Sequence, residues 1–175
     1  MTEKYIPEKI LIKNARLSFP SLFQKEVFNG KAGKFAATLI IDKNDKEVKK
    51  QIDKAIAAAL GSVTFKIKSD MICLKDGDDS DYDSSHGSWT IKAANSKRPQ
   101  TLDKDKSQVT EEDEKFYAGC RVNAVIDFWV QNNEFGKRIN ANLYLVQFFG
   151  DDEPFGSAAE DVSGMLDDFD EDGDI

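Results

Sequence analysis

Two stretches near the end of this chain each alternate apolar and polar residues for twelve positions, with a turn-rich break between them. In residues 120–131 (CRVNAVIDFWVQ), Val122, Ala124, Ile126, Phe128 and Val130 share one side. Arg121, Asn123, Val125, Asp127, Trp129 and Gln131 share the other. In residues 138–149 (RINANLYLVQFF), Ile139, Ala141, Leu143 and Leu145 alternate with Arg138, Asn140, Asn142, Tyr144 and Val146. Period two over this length is the signature of a strand with one buried face. The break, Asn132-Asn133-Glu134-Phe135-Gly136, is rich in turn formers. A long hairpin with one apolar face is not stable alone and must close against further strands or a helix.

The rest of the chain supplies them. Residues 8–19 read as a first strand ended by Pro20. Residues 20–33 form a loop, with Asn29-Gly30 as a hairpin turn. Residues 34–41 are a second strand with Phe35, Ala37, Leu39 and Ile41 on one face. Val48, Ile52, Ala55, Ile56, Ala59 and Leu60 then follow helical spacing, so residues 45–60 are predicted as a helix that plugs the sheet or barrel. Asn44 or Asp45 caps its start, and Gly61 suits a left-handed stop. Residues 62–74 alternate again through Val63, Phe65 and Ile67 and read as a strand. Residues 88–94 form a short strand with Trp89, Ile91 and Ala93 on one side. Residues 75–87 and 95–106 are polar loops. Short strands, one helix and large polar loops predict a mainly β small barrel or sandwich.

Charge divides the chain. It has 24 basic and 32 acidic residues, a net of −8. Residues 151–175 hold eleven acids and no Lys or Arg, which leaves residues 1–150 with 24 basic against 21 acidic. The expected organisation is a body over 1–150 and a mobile acidic tail over 151–175. A polyanion tethered to a mildly basic body suits a surface built for another polyanion, with the tail as competitor or docking handle. Met165-Leu166, Phe169 and the terminal Ile175 punctuate the acids around Asp170. Apolar anchors among carboxylates resemble a docking peptide. Cys73 and Cys120 have no metal-ligand spacing, and two thiols make no disulfide framework. The polar start and the lack of a long apolar run fit a cytosolic protein without membrane association.

The side of the hairpin away from its apolar face carries the sharpest chemical signal. It joins Trp129 and Tyr144 with Arg121 and Arg138, separated by Asn side chains. Rings for base stacking beside guanidinium groups for phosphate make a platform for single-stranded nucleic acid. Trp89, Lys92, the Lys97-Arg98 pair before Pro99, and Lys31 and Lys34 could extend a basic track. The loop with Asp76, Asp78, Asp79, Asp81 and Asp83 fails the calcium-loop pattern: from Asp79 the sixth residue is Ser84 and the twelfth is Thr90. His86, the one histidine, lies beside serines, but no nucleophile elbow appears. No phosphate loop, dinucleotide fingerprint or zinc cluster is present, so neither an enzyme nor a cofactor or metal is expected. Against the strand binder stand an acidic DNA mimic that blocks a DNA-binding enzyme, and a metal nuclease using the Asp76–Asp83 loop.

Five segments in order resemble the bacteriophage-encoded single-stranded-DNA-binding proteins with an OB-fold and an acidic C-terminus. They are residues 15–23 (ARLSFPSLF), 75–78 (KDGD), 94–99 (ANSKRP), 116–124 (FYAGCRVNA), and 144–148 (YLVQF) followed by 153–156 (EPFG). The resemblance implies an OB-fold-like five-stranded Greek-key barrel with one α-helix. It implies a sequence-tolerant protein that coats single-stranded DNA in phage replication or recombination, in the bacterial cytoplasm and without a cofactor. It implies a tail that competes for the DNA groove and docks replication enzymes. Some members of that family also bind double-stranded DNA. A homodimer is compatible with the sequence, which does not fix the oligomeric state.

Overall fold

The strands of this computed structural model, which describes residues 5–155 and Leu166, are β1 (Ile10–Ser21), β2 (Val27–Phe28), β3 (Lys31–Ala32), β4 (Phe35–Asp42), β5 (Leu74–Asp76), β6 (Ser88–Asn95), β7 (Gln100–Leu102), β8 (Arg121–Asn133) and β9 (Gly136–Gly150). Hydrogen bonding runs β5-β6-β4-β1-β8-β9-β7, and a parallel β6–β9 contact closes the circle. Five strands (β1, β4, β6, β9 and β8) therefore make a closed OB-like barrel with one helix, α1 (Lys46–Gly61). The closing seam is short: Ala93 pairs with Ala141 and Ala94 with Asn142. Ile12, Leu17, Leu39, Ile91, Ile126, Phe128 and Leu143 fill the interior, all essentially inaccessible to solvent. Val48, Ile52, Ile56 and Ala59 are the buried stripe of α1, packed into the same core. Asp45 caps the helix by accepting from the Val48 amide.

Several elements differ from the sequence reading, each for a local reason. Pro20 does not end β1. The strand reaches Ser21 through a bulge, because Ser18 pairs with Thr38 but Ser21 with Ala36, and a bulge is where a strand tolerates proline. Gly61 is not left-handed; Ser62 closes the helix in right-handed geometry, its hydroxyl donating to the Ala59 carbonyl. Most of residues 62–74 forms no strand, although Ile67 is buried. Its alternation records one apolar side lying on the core, without a partner ladder. β7, inside the expected loop 95–106, pairs with β9 at Leu145–Gln147.

On β9 the expected alternation holds through Leu143 and then reverses. Ile126 pairs with Leu143 and Val125 with Leu145, so Tyr144 is an inserted residue. Val146 and Phe148 therefore enter the core, and Leu145 does not. One extra residue exchanges the two faces of everything after it.

Residues 151–155, expected to begin a mobile tail, lie against the barrel instead. The Phe155 amide donates to the Ala118 carbonyl at 3.0 Å, and Tyr117 donates through its hydroxyl to Asp151 Oδ1 at 2.9 Å. Gly119, at φ +110, lets the chain pass, since a Cβ there would lie 2.4 Å from the Glu153 carbonyl.

Candidate nucleic-acid interface

The outer faces of β4 and β6 present Thr38, Thr90, Lys92 and Ala94 as one wall of an open groove of about 540 Å³. β8 and β9 contribute Trp129, Gln131, Asn140 and Ala141, β1 and β5 add Phe19 and Lys75, and the segments between strands add Lys34 and Tyr82. In an OB-fold the second and third barrel strands, with the loops after the first and fourth, form the oligonucleotide face. Here those strands are β4 and β6.

Phe19 reaches this groove because of the β1 bulge. Its φ of +46° is left-handed, a cost of about 1 kcal/mol or more for a residue with a side chain. In return its ring leaves the barrel and is 56% exposed. It meets Tyr82 edge to face, ring centroids 5.2 Å apart, and Tyr82 is itself 57% exposed. Two exposed rings in contact beside Lys75 and Lys92 provide stacking surface for unpaired bases.

Tyr82 is held by a folded loop rather than a loose one. Gly77 packs so closely that a Cβ would lie 2.0 Å from the Ser85 carbonyl. Lys43 Nζ lies 2.6 Å from both Asp76 Oδ1 and Asp78 Oδ2. Asp78 Oδ1 accepts from the Gly87 amide at 2.7 Å. The Lys43 hydrogen bonds hold both carboxyls below the ordinary carboxylate value, and those same bonds raise the Lys43 ammonium. An internal ammonium thus takes the place a metal would need, and no group of three metal-ligating side chains occurs among the described residues. The loop does not support the nuclease reading. A ring nitrogen of His86 (Nε2) lies 2.9 Å from the Ser80 carbonyl oxygen.

Of the residues singled out from sequence, Trp129, Lys34 and Lys92 meet in the groove. Lys34 Nζ lies 5.7 Å from the Trp129 ring, and Lys92 lies 5.6 Å from the Phe28 ring while pairing with Glu26 at 3.1 Å. This links the β2–β3 hairpin to the groove. Its turn is Asn29-Gly30, both at positive φ, as the sequence indicated. Arg138 lies two pairs beyond Asn140, opposite Gln131, near the β8–β9 turn whose Phe135 is 73% exposed.

The other singled-out residues lie elsewhere, so the expected single platform of Arg121, Trp129, Arg138 and Tyr144 is not formed. Arg121 is eight residues from Trp129 on β8, roughly 26 Å along a strand. Its Nε donates to Asp152 Oδ2 at 2.8 Å, and Arg16 approaches the same oxygen at 3.5 Å. The backbone Glu153 amide, the Arg121 hydrogen bond and the two cations lower the Asp152 carboxyl below its ordinary value. Tyr144, on its bulge, donates to the buried Asp127 at 2.7 Å under the Lys9 ammonium. Burial, then that bond and the Asp127 charge, push the phenol up to about 12. Trp89 shares the inward side of β6 with Ile91 and Ala93 and is covered by Lys43 and Lys49 at 4.7 and 4.4 Å. Arg98 donates to Thr101 Oγ1 and lies over Phe23, which makes it a clip for β7. Lys97 is exposed in that loop. In the tail, Leu166 is exposed, and Phe169, Asp170 and Ile175 lie outside the described residues.

Phe19, Tyr82, Lys75 and Phe28 escaped the sequence reading. The Phe19-Pro20 pair inside a strand pattern was the available signal for a bulge. Nothing local marked Tyr82, whose position depends on Lys43 from another element.

A family model for the ssDNA-binding protein of Enterobacter phage Enc34 matches residues 8–175. Protein p50 of Acyrthosiphon pisum secondary endosymbiont phage 1 is 33% identical over 159 residues, covering 84% of this chain and 86% of its own. The solved single-stranded DNA-binding protein from bacteriophage Enc34 in complex with ssDNA is 36% identical, with a TM-score of 0.79 over 85% of this chain and 89% of its own. Gp2.5, a single-stranded DNA-binding protein of bacteriophage T7, shares the fold at 11% identity, with a TM-score of 0.61 over 91% of this chain and 94% of its own.

Proposed function

The chain belongs to the family of the Enterobacter phage Enc34 ssDNA-binding protein, a family of binding proteins rather than enzymes, and from that premise we propose that it is a phage protein that binds single-stranded DNA across the β4–β6 groove with little sequence preference. The observation that carries this reading is the exposed Phe19–Tyr82 pair flanked by Lys34, Lys75, Lys92 and Trp129 in one groove. Bases stack on the rings, and the lysines neutralise phosphates. Every base has a π-face, so such a site is tolerant of sequence. The protein coats exposed strands during replication or recombination in the cytoplasm of the infected bacterium. Its acidic residues beyond 155 compete for the groove at high effective concentration and dock replication enzymes.

The test is a fluorescence-anisotropy titration with single- and double-stranded oligonucleotides, comparing the full chain with a chain ending at residue 155. Single-strand affinity should fall as salt rises, by a log–log slope of about −0.7 per phosphate contacted. Removing the acids should tighten binding. No binding to either oligonucleotide in dilute buffer, by either chain, would overturn the reading and favour a DNA mimic.

A further inference from the structure

β1 and α1 border a second concavity, which shares no lining residue with the β4–β6 groove and which the function above leaves unused. Leu11 and Val48 form its apolar part, and Lys13, Lys50 and Lys54 surround them with Glu47 as the one acid. Leu11 is exposed for its type, and the three lysines are exposed and enter no ion pair among the described residues. The helix carries this charge at a cost. Lys46, Lys50 and Lys54 are spaced four apart on one face, where like charges repel, and Lys46 stands in the first turn, where the helix dipole disfavours a cation. The site contains no aromatic ring, so it offers nothing for a base to stack on.

We propose that this groove seats the chain's own acidic tail, with Leu166 and Phe169 against Leu11 and Val48, and with Asp167, Asp168, Asp170, Glu171 and Asp172 facing Lys13, Lys50 and Lys54. Three observations support the match. The tail pairs apolar anchors with carboxylates, and the groove pairs an apolar floor with ammonium groups. The tail also starts from the right surface. Arg16 and Arg121 grip Asp152, and the Arg16 guanidinium lies 4.1 Å over the Phe155 ring. A second bulge in β1, at Asn14, puts Arg16 on the same outward face as Leu11 and Lys13, because Ile12 pairs with Ala124 but Ala15 with Val122. The reach is sufficient as well. Arg16 to Leu11 is five residues of strand, roughly 17 Å, whereas the ten residues from Gly156 to Met165 extend to roughly 33 Å. A seat on the molecule that bears the tail is favoured over one on a second copy by effective concentration. The proposal stands independently of DNA binding. The seat and the β4–β6 groove are alternative places for the same acids: a seated tail leaves the groove open, and a released one competes for it.

The experiment uses the full chain and carbodiimide, which joins carboxylates to nearby amines without a spacer, followed by peptide mapping of the monomer and dimer bands. The expected result is linkage of residues 167–172 to Lys13, Lys50 or Lys54 in the monomer band, reduced several-fold in Leu166→Ser/Phe169→Ser. That variant keeps every charge. Linkage that survives the double substitution would mean diffuse charge attraction and overturn the seat. Linkage confined to Lys34, Lys75 and Lys92 would overturn the seat and leave the tail only its competition for the β4–β6 groove. Linkage confined to the dimer band would assign the seat to a second copy. Protection of Lys50 and Lys54 by an added oligonucleotide, in a chain ending at residue 155, would make the patch a nucleic-acid contact instead.

Discussion

Near its turn, the β8–β9 ribbon leaves Trp129, Gln131 and Asn140 facing an open groove, whereas farther from the turn Tyr144, at mid-ribbon, and Arg121, at the far end, are held by the carboxylates of Asp127 and Asp152. Both ends carry the residue types that bind nucleic acid. What separates them is prior engagement. A guanidinium already bonded to an internal carboxylate must break that bond to meet a phosphate, and a phenol bonded to a buried acid cannot turn its face to a base without leaving that acid unpaired. The near end has Lys34, held only over the Trp129 ring, and Lys92, held by one surface ion pair, and it shares its groove with the Phe19–Tyr82 pair.

The sharpest way to break this contrast is to remove the rings. Phe19→Ala with Tyr82→Ala should weaken single-strand binding by about 1–3 kcal/mol for each base that loses its stack, while circular dichroism stays unchanged. Unaltered anisotropy titrations would displace the binding face from this groove. Gly77→Ala should act more indirectly. It overfills the loop that places Tyr82, costing about 1–3 kcal/mol of stability, and should lower both the melting temperature and the affinity. A melting temperature equal to wild type would show the loop has slack that its geometry denies. Replacing Lys34, Lys75 and Lys92 together by Gln should flatten the salt dependence by about 0.7 per lost phosphate contact. The matched replacement Arg121→Ala should leave that slope where it was, and a flattened slope there would erase the distinction between the two ends.

The smallest effect concerns pH. The Asp152 carboxyl is lowered in the folded chain, so its contribution to holding residues 151–155 is complete above the ordinary carboxylate value and is lost as pH falls through the lowered one. Exchange of the Phe155 amide should therefore quicken only in strong acid. In Arg121→Ala the midpoint should move up towards the ordinary value. An unmoved midpoint would leave the Glu153 amide and Arg16 as the supports.

Much of the barrel was legible because its signals are local. The Asn29-Gly30 turn, the stripe of α1 and the alternation of β4, β6 and β8 each need only a few neighbouring residues to be read. Three features needed information from farther away. The Tyr144 insertion changes the parity of Val146 and Phe148, yet no residue type announces it. Residues 62–74 alternate like a strand but find no ladder, because the pattern reports burial and not pairing. The groove drew Phe19 from a bulge and Tyr82 from a loop pinned by Lys43, so proximity in space arose from separate elements. Trp129, Lys34 and Lys92 were nominated one by one from sequence, but only the closed sheet brings them together.

The barrel's closing seam, two residue pairs long, runs through the floor of the groove, where Ala94 and Ala141 line the wall and the seam alike. The ladder is thinnest there, and a polymer laid over it would act as a suture across an almost open hem. Tightening of the cylinder and occupancy of its outside would then be a single mechanical event, visible first as slowed exchange along that margin.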